Sequence, residues 1–223
     1  MLLEPVEWLG HAGFRLRLGR AWVYIDPYRV PQPAPRADLI LVTHDHYDHF
    51  SPRDVEALAR SETWLVGPAT VVERVRGRSL SLAPGEVIED ELLRGLEVRG
   101  VAAYNTSKRN AEGRPFHPRE AGWLGFELRW QGWRLYHAGD TDVIPEMDQV
   151  TGCDVALLPV SGGYVMTAEE AAEAARRIQP RVAVPMHWGA EVGSRQDAER
   201  FRRLAPTRVE ILKPAAPASG KPD

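Results

Sequence analysis

The stretch Leu39-Ile40-Leu41-Val42-Thr43-His44-Asp45-His46-Tyr47-Asp48-His49 decides how the rest of this chain is read. Its first four residues form a continuous apolar run, the pattern of a short strand buried on both faces of a parallel sheet. Directly after that run, three histidines and two aspartates beside Tyr47 fill positions 44–49. If the start of this segment is extended, His44 and His46 point to one side, because strand side chains alternate. Two imidazoles on one side can bind one metal ion, and Asp48 with His49 can face a second. The bland alternative is a polar loop of solvated histidines. Five potential donors packed at a strand end, where α/β proteins gather ligand sites, argue against it.

Working outward, strand and helix signals alternate. Residues 2–9, 13–18 and 21–26 read as strands, and 31–35 as a proline-rich loop. Ser51-Pro52-Arg53-Asp54 starts a helix: Ser51 caps, Pro52 suits the first turn, and Asp54 complements the positive end. A strand at 63–67, a helix at 69–76 and strands within 80–103 follow. Residues 105–121 form a long polar loop, and loops of that length are often functional. Strands return at 123–130 and 133–137, and Asp154–Val160 is another buried type. Thr167-Ala168-Glu169-Glu170 opens a helix with a capping box. A strand over Arg181–Pro185 and a helix over Ser194–Leu204 close the pattern, which predicts one α/β domain, residues 1–212, with a loose tail over 213–223.

The bulk composition narrows the function. The 223 residues suffice for one sizeable core. A net charge of −3 gives no global basic field for nucleic acid or anionic membrane. No apolar run is long enough to span a bilayer, and no export signal is expected, so the cytoplasm is the expected compartment. The single Cys153 excludes an internal disulfide and a cysteine-built zinc site, leaving histidine and carboxylates as metal donors.

The segment Thr43–His49 resembles the signature of the metallo-β-lactamase superfamily. Gly10-His11-Ala12-Gly13-Phe14 followed by Tyr24-Ile25-Asp26-Pro27 is similar to the opening of the branch that includes L-ascorbate-6-phosphate lactonase. Tyr136-His137-Ala138-Gly139-Asp140-Thr141 and Pro185-Met186-His187-Trp188-Gly189 resemble two later motifs, in the same order. The resemblance implies an αββα sandwich with two metals at one edge. It places His44 and His46 on the first metal, and Asp48, His49 and His187 on the second. Asp140 bridges the two, and Asp26 supports the histidine-rich loop from behind. It further implies a hydrolase in which a metal-bound hydroxide, oriented by Asp48, attacks a small polar ester, lactone, amide or phosphodiester. Zinc is the expected ion, with Mn2+ or Fe2+ as the other candidates, and one or two ions per chain.

One departure matters. The family places a third histidine for the first metal near residues 101–106, and Val101–Thr106 contains none. Asn105 and His117 are the two candidates for that position, and an amide oxygen is the poorer zinc donor. His11 and His137 lie near the implied site, each with a structural role as the alternative. Lys108, Arg109, Arg114 and Arg119 crowd the polar loop, where they could hold an anionic small-molecule substrate. A nuclease or RNA-processing enzyme, and a non-hydrolytic metal-binding protein, are the alternative functions on the same fold.

Overall fold

A computed structural model describes residues 2–90 and 95–215. Two sheets lie face to face, and the two hydrophobic clusters show how the layers are stacked. The first sheet runs in the order β1 (Val6–Gly10), β2 (Gly13–Leu18), β3 (Ala21–Ile25), β4 (Leu39–Leu41), β5 (Trp64–Gly67) and β6 (Arg78–Ser81). The second has seven strands. In chain order they are β7 (Val87–Asp90), β8 (Leu96–Ala102), β9 (Leu124–Trp130), β10 (Trp133–His137), β11 (Val155–Pro159), β12 (Val182–Met186) and β13 (Arg208–Val209), which is also their order across the sheet. The larger cluster joins inward residues of both sheets, among them Phe14, Leu16, Phe126 and Leu128, and takes in helices α3 (Ala168–Ile178) and α4 (Arg195–Leu204). The smaller cluster seals Ile40 and Leu65 under Val55 and Leu58 of α1 (Pro52–Leu58). This is the αββα arrangement, and each fully buried Phe or Leu contributes roughly 1.5–3 kcal/mol.

Each sheet is antiparallel on one side and parallel on the other. β3, β4, β5 and β6 run parallel, as do β10, β11, β12 and β13. β4, β11 and β12 are buried along their whole length, which is why their sequences carry no polar alternation. Their C-terminal ends open on one edge of the sandwich, the usual place for ligands in such sheets.

The helix signals act locally as expected. Ser51 accepts a hydrogen bond from the Asp54 amide, and Thr167 and Glu170 form a reciprocal capping box. Helix α2 (Ala69–Val72) is shorter than the 69–76 helix its sequence suggests. There the Arg74 and Val75 amides bond three residues back, and Gly77, at φ +112°, turns the chain into β6. The first strand begins at Val6, after Pro5, whose missing N–H cannot join a ladder. A 3-10 turn over Pro145–Val150 and the two-residue β13 carry no sequence signal that marked them. Lys213–Ala215 has no regular structure, but the Ala215 amide bonds the Trp8 carbonyl at 2.6 Å; the rest of the expected tail lies outside the described residues. No helix among the described residues is long and apolar enough to cross a membrane.

Candidate metal centre

Five chain segments deliver side chains to this open edge. The turn after β4 brings His44, His46, Asp48 and His49. The β1–β2 turn brings His11, the end of β10 leads to Asp140, the end of β12 to His187, and the 105–121 loop supplies His117. The strand ends at Leu41, so the histidine-rich segment is a turn and not extended chain. His44 and His46 still meet, with Nε2 of one 3.0 Å from Nδ1 of the other. Gly139 positions Asp140: it sits at φ +64°, and a Cβ there would lie 2.5 Å from the Leu124 carbonyl oxygen. His11, Asp26 and His187 also adopt positive φ, a conformation uncommon outside glycine that concentrates at functional sites.

Asp140 is the hub. Its carboxylate oxygens lie 3.2 Å from His117 Nε2 and His187 Nε2, 3.3 Å from His49 Nε2 and 4.0 Å from His44 Nε2. Potential donors fall into overlapping groups. His44, His46 and His117 form one; His11, Asp48, His49 and His187 form another; His44, His49 and Asp140 link them. Within this cluster, His49 Nε2, His117 Nε2, His187 Nε2 and Asp140 Oδ1 are buried and make no hydrogen bond. Buried polar atoms are nearly always partnered. Three unpartnered imidazole nitrogens around a carboxylate with its own unpartnered oxygen, all of them ligand-type atoms, fit divalent cations that would satisfy them together.

Groups behind these donors fix their orientation. Asp26 accepts from the Thr43 amide at 2.8 Å, the Thr43 hydroxyl at 2.7 Å and His49 Nδ1 at 2.7 Å. Ser161 Oγ lies 3.0 Å from His187 Nδ1. Trp123 packs its ring against His44, His46 and His117.

Protonation follows from these surroundings. Burial opposes the Asp48 charge, but the hydrogen bond with His11 and the nearby His49 outweigh it and hold the carboxyl at about 2. Burial likewise opposes the Asp140 charge, yet His187 and His49 keep this carboxyl well below its usual range. Burial pushes His44 well down and lowers His11 and His46, which leaves neutral imidazoles able to donate lone pairs. His49 is the exception. Burial lowers it, but Asp140 and Asp26 raise it well above the ordinary histidine value.

Three sequence candidates need correction. Asn105 does not face the cluster. Its amide oxygen accepts from the His117 backbone N–H and from His117 Nδ1, both at 2.9 Å, so it holds the histidine in place of a ligand role. His137 is structural: Nε2 donates to the Ala12 carbonyl and Nδ1 accepts from the Gly139 amide, which leaves no free lone pair. Lys108 Nζ is committed to Glu170 at 2.5 Å and Asp142 at 3.3 Å. The neighbouring bases are diverted too, Arg119 to Glu146 and Arg109 to the Gly113 carbonyl. Asp142, which follows the Gly139-Asp140-Thr141 motif directly, carries no sequence signal of its hydrogen bond with Asn105. Trp123, Phe116 and Glu191 carry no sequence signal of their own.

Residues 5–187 match the family described as beta-lactamase superfamily domain. A UPF0173 metal-dependent hydrolase of Thermoplasma acidophilum is 33% identical over 218 residues, covering 91% of each chain. Another, from Methanopyrus kandleri, is 33% identical over 212 residues, covering 89% of this chain and 90% of that one. A solved structure described as a metal-dependent hydrolase of Parabacteroides distasonis superposes with a TM-score of 0.79 at 29% identity, covering 93% of each chain. The chain belongs to the metallo-β-lactamase superfamily, beside its UPF0173 metal-dependent hydrolases.

Proposed function

We propose that this protein is a metal-dependent hydrolase that cleaves a small ester, lactone, amide or phosphodiester at this centre. The observation that carries the reading is the set of buried, unpartnered ligand atoms converging on Asp140. His44, His46 and His117 would hold one ion. Asp48, His49 and His187, with His11 beside them, would hold the other, and Asp140 would lie between. Nitrogen-rich sets of this kind suit zinc. When bound, such ions supply Lewis acidity and bring the pKa of water toward neutrality.

The chain's own residues do the rest. With its carboxyl at about 2, Asp48 is too weak a base to store a proton near neutral pH. It serves as a charged acceptor that orients the attacking water. Asp26, Thr43, Ser161 and Asn105 fix the imidazoles so that their ring nitrogens face the centre. The centre opens on a cleft of about 420 Å³ lined by His46, Asp48, Asp140 and His187 on its floor. That volume suits a small molecule. Among the described residues no lysine or arginine lines it, so the RNA-processing alternative finds no electrostatic support there. The resemblance of the opening motif to the lactonase branch keeps lactones first among substrates, and we keep the cytoplasm as the compartment.

The test is elemental analysis beside an activity panel. The native protein is expected to retain one or two divalent ions and to hydrolyse at least one lactone, ester or phosphodiester in a chelator-sensitive way. His46→Ala combined with Asp140→Ala should abolish both. Undiminished metal content in that double variant would sink the ligand assignment.

A further inference from the structure

We infer that the group flanking the scissile bond of the substrate is an uncharged aromatic ring, held between Tyr164 and Tyr47. The inference rests on the hydrolytic reading of the centre and names its substrate class.

The described chain exposes only five large hydrophobic side chains, and two of them, Tyr47 at 67% and Tyr164 at 45%, line this one cleft. Their exposure is not that of loose surface groups. Tyr164 packs edge-to-face on Phe116, with ring centroids 4.7 Å apart at 76°. Tyr47 packs edge-to-face on Tyr28 at 6.2 Å, and its hydroxyl reaches Glu191 Oε2 at 3.3 Å. Tyr28 donates to the other Glu191 oxygen at 2.9 Å. Two tyrosines thus converge on one carboxylate, which fixes the Tyr47 wall as Phe116 fixes the Tyr164 wall. Rigid aromatic walls above a polar floor offer stacking and edge contacts to a flat ring.

Charge points the same way. Of the polar loop's cations, which the sequence offers as anion holders, Lys108, Arg119 and Arg109 are spent on Glu170, Asp142, Glu146 and a backbone carbonyl, and Arg114 does not line the cleft. The remaining candidate near the mouth, Arg29, pairs with Glu191 at 2.9 Å. A second anionic group on the substrate would meet Asp48 and Glu191 with no free cation in the lining.

The experiment is isothermal titration of the zinc-loaded protein with three hydroxamates that share one metal-binding head: benzohydroxamate, acetohydroxamate and succinic monohydroxamate. Benzohydroxamate should bind about tenfold tighter than acetohydroxamate, the effect of one well-packed ring. Tyr164→Ala should reduce that ratio to within about twofold by weakening benzohydroxamate more than acetohydroxamate, and Tyr47→Ala should narrow it too. Equal affinities in the native protein overturn the inference, as does a ratio that survives both variants. Tighter binding of the succinic probe than of the benzoic one restores an anion-selective cleft in its place. If zinc is present but no hydroxamate binds, the hydrolytic reading itself falls, and the ring preference with it.

Discussion

Replacing Asn105 with alanine is the sharpest probe of how the first half of the centre is held. The amide makes four hydrogen bonds. Its Oδ1 accepts from the His117 N–H and Nδ1 at 2.9 Å each, while Nδ2 donates to Asp142 Oδ1 at 3.2 Å and the Tyr164 carbonyl at 2.9 Å. Because both partners of Nδ2 are acceptors, the amide cannot be turned over, so His117 Nδ1 must donate to Asn105 and Nε2, facing Asp140, is the ring atom left for a metal. Asn105→Ala leaves two buried His117 donors without partners, a cost of about 2–4 kcal/mol. In a chain of this size that lowers Tm by roughly 5–15 °C. Loss of the support behind a ligating histidine weakens metal binding about 10–100-fold, and only for the His44/His46/His117 half. Asn105→Asp separates positioning from stability. It keeps an acceptor for His117 but turns a second oxygen toward Asp142, so Tm should fall while first-site affinity stays near native. Competitive chelator titration reads two dissociation constants, and a thermal scan reads stability. If Asn105→Ala binds both ions with native affinity, or Asn105→Asp loses the first ion as completely as Asn105→Ala, the relay is wrong.

Two other perturbations have readable outcomes. Burial pushes the Cys153 thiol up to about 12, so at pH 8 it stays a thiol and should resist a thiol-reactive dye in the native protein, labelling only after denaturation; rapid native labelling contradicts the burial. Glu127 is fully buried among Arg129 of its own strand and Arg99 and Arg134 of the two neighbouring strands. Glu127→Ala should cost about 2 kcal/mol, less than for a fully buried pair because the arginines are part-exposed, and chemical denaturation should show it without loss of bound metal.

The sequence was informative where local physics acts alone. β4, β11 and β12 were readable because strands buried on both faces need unbroken apolar runs, and α3 because Thr167 and Glu170 satisfy each other within one turn. The 3-10 turn over Pro145–Val150 was not, since Met147 and Val150 are buried by contacts with distant elements and not by a helical stripe. The site divides in the same way. His44–His49 is one contiguous segment, so its residues announce each other. His117 stands on a loop without periodicity, and what brings it in is a pair of reciprocal bonds: the Asn105 amide donates to the His117 carbonyl at 2.8 Å, and the Asn105 side chain accepts from the His117 amide. No spacing rule encodes that pairing, which is why Asn105 and His117 looked like rivals for one position when they are partners at it.

That partnership makes the two halves of the centre chemically unequal. His49 rests its Nδ1 on the Asp26 carboxylate, whereas the Nδ1 atoms of His117, His44 and His187 face neutral oxygens, of Asn105, Thr43 and Ser161. Asp26 and Asp140 together raise His49 far enough that it keeps a proton near neutral pH when no ion is bound. An ion entering the His49 half must displace that proton, so its affinity should climb as pH rises through the histidine's raised pKa. In the His117 half, burial keeps His44 and His46 neutral, so those two ligands have no such proton to lose. Its affinity depends instead on how firmly the Asp142–Asn105 link keeps the loop closed on His117. Acid should therefore empty the His49 half first, and loosening the loop should empty the other. Occupancy of the two halves can be separated by pH in one case and by Asn105 in the other, with the same four orphaned atoms at the centre of both.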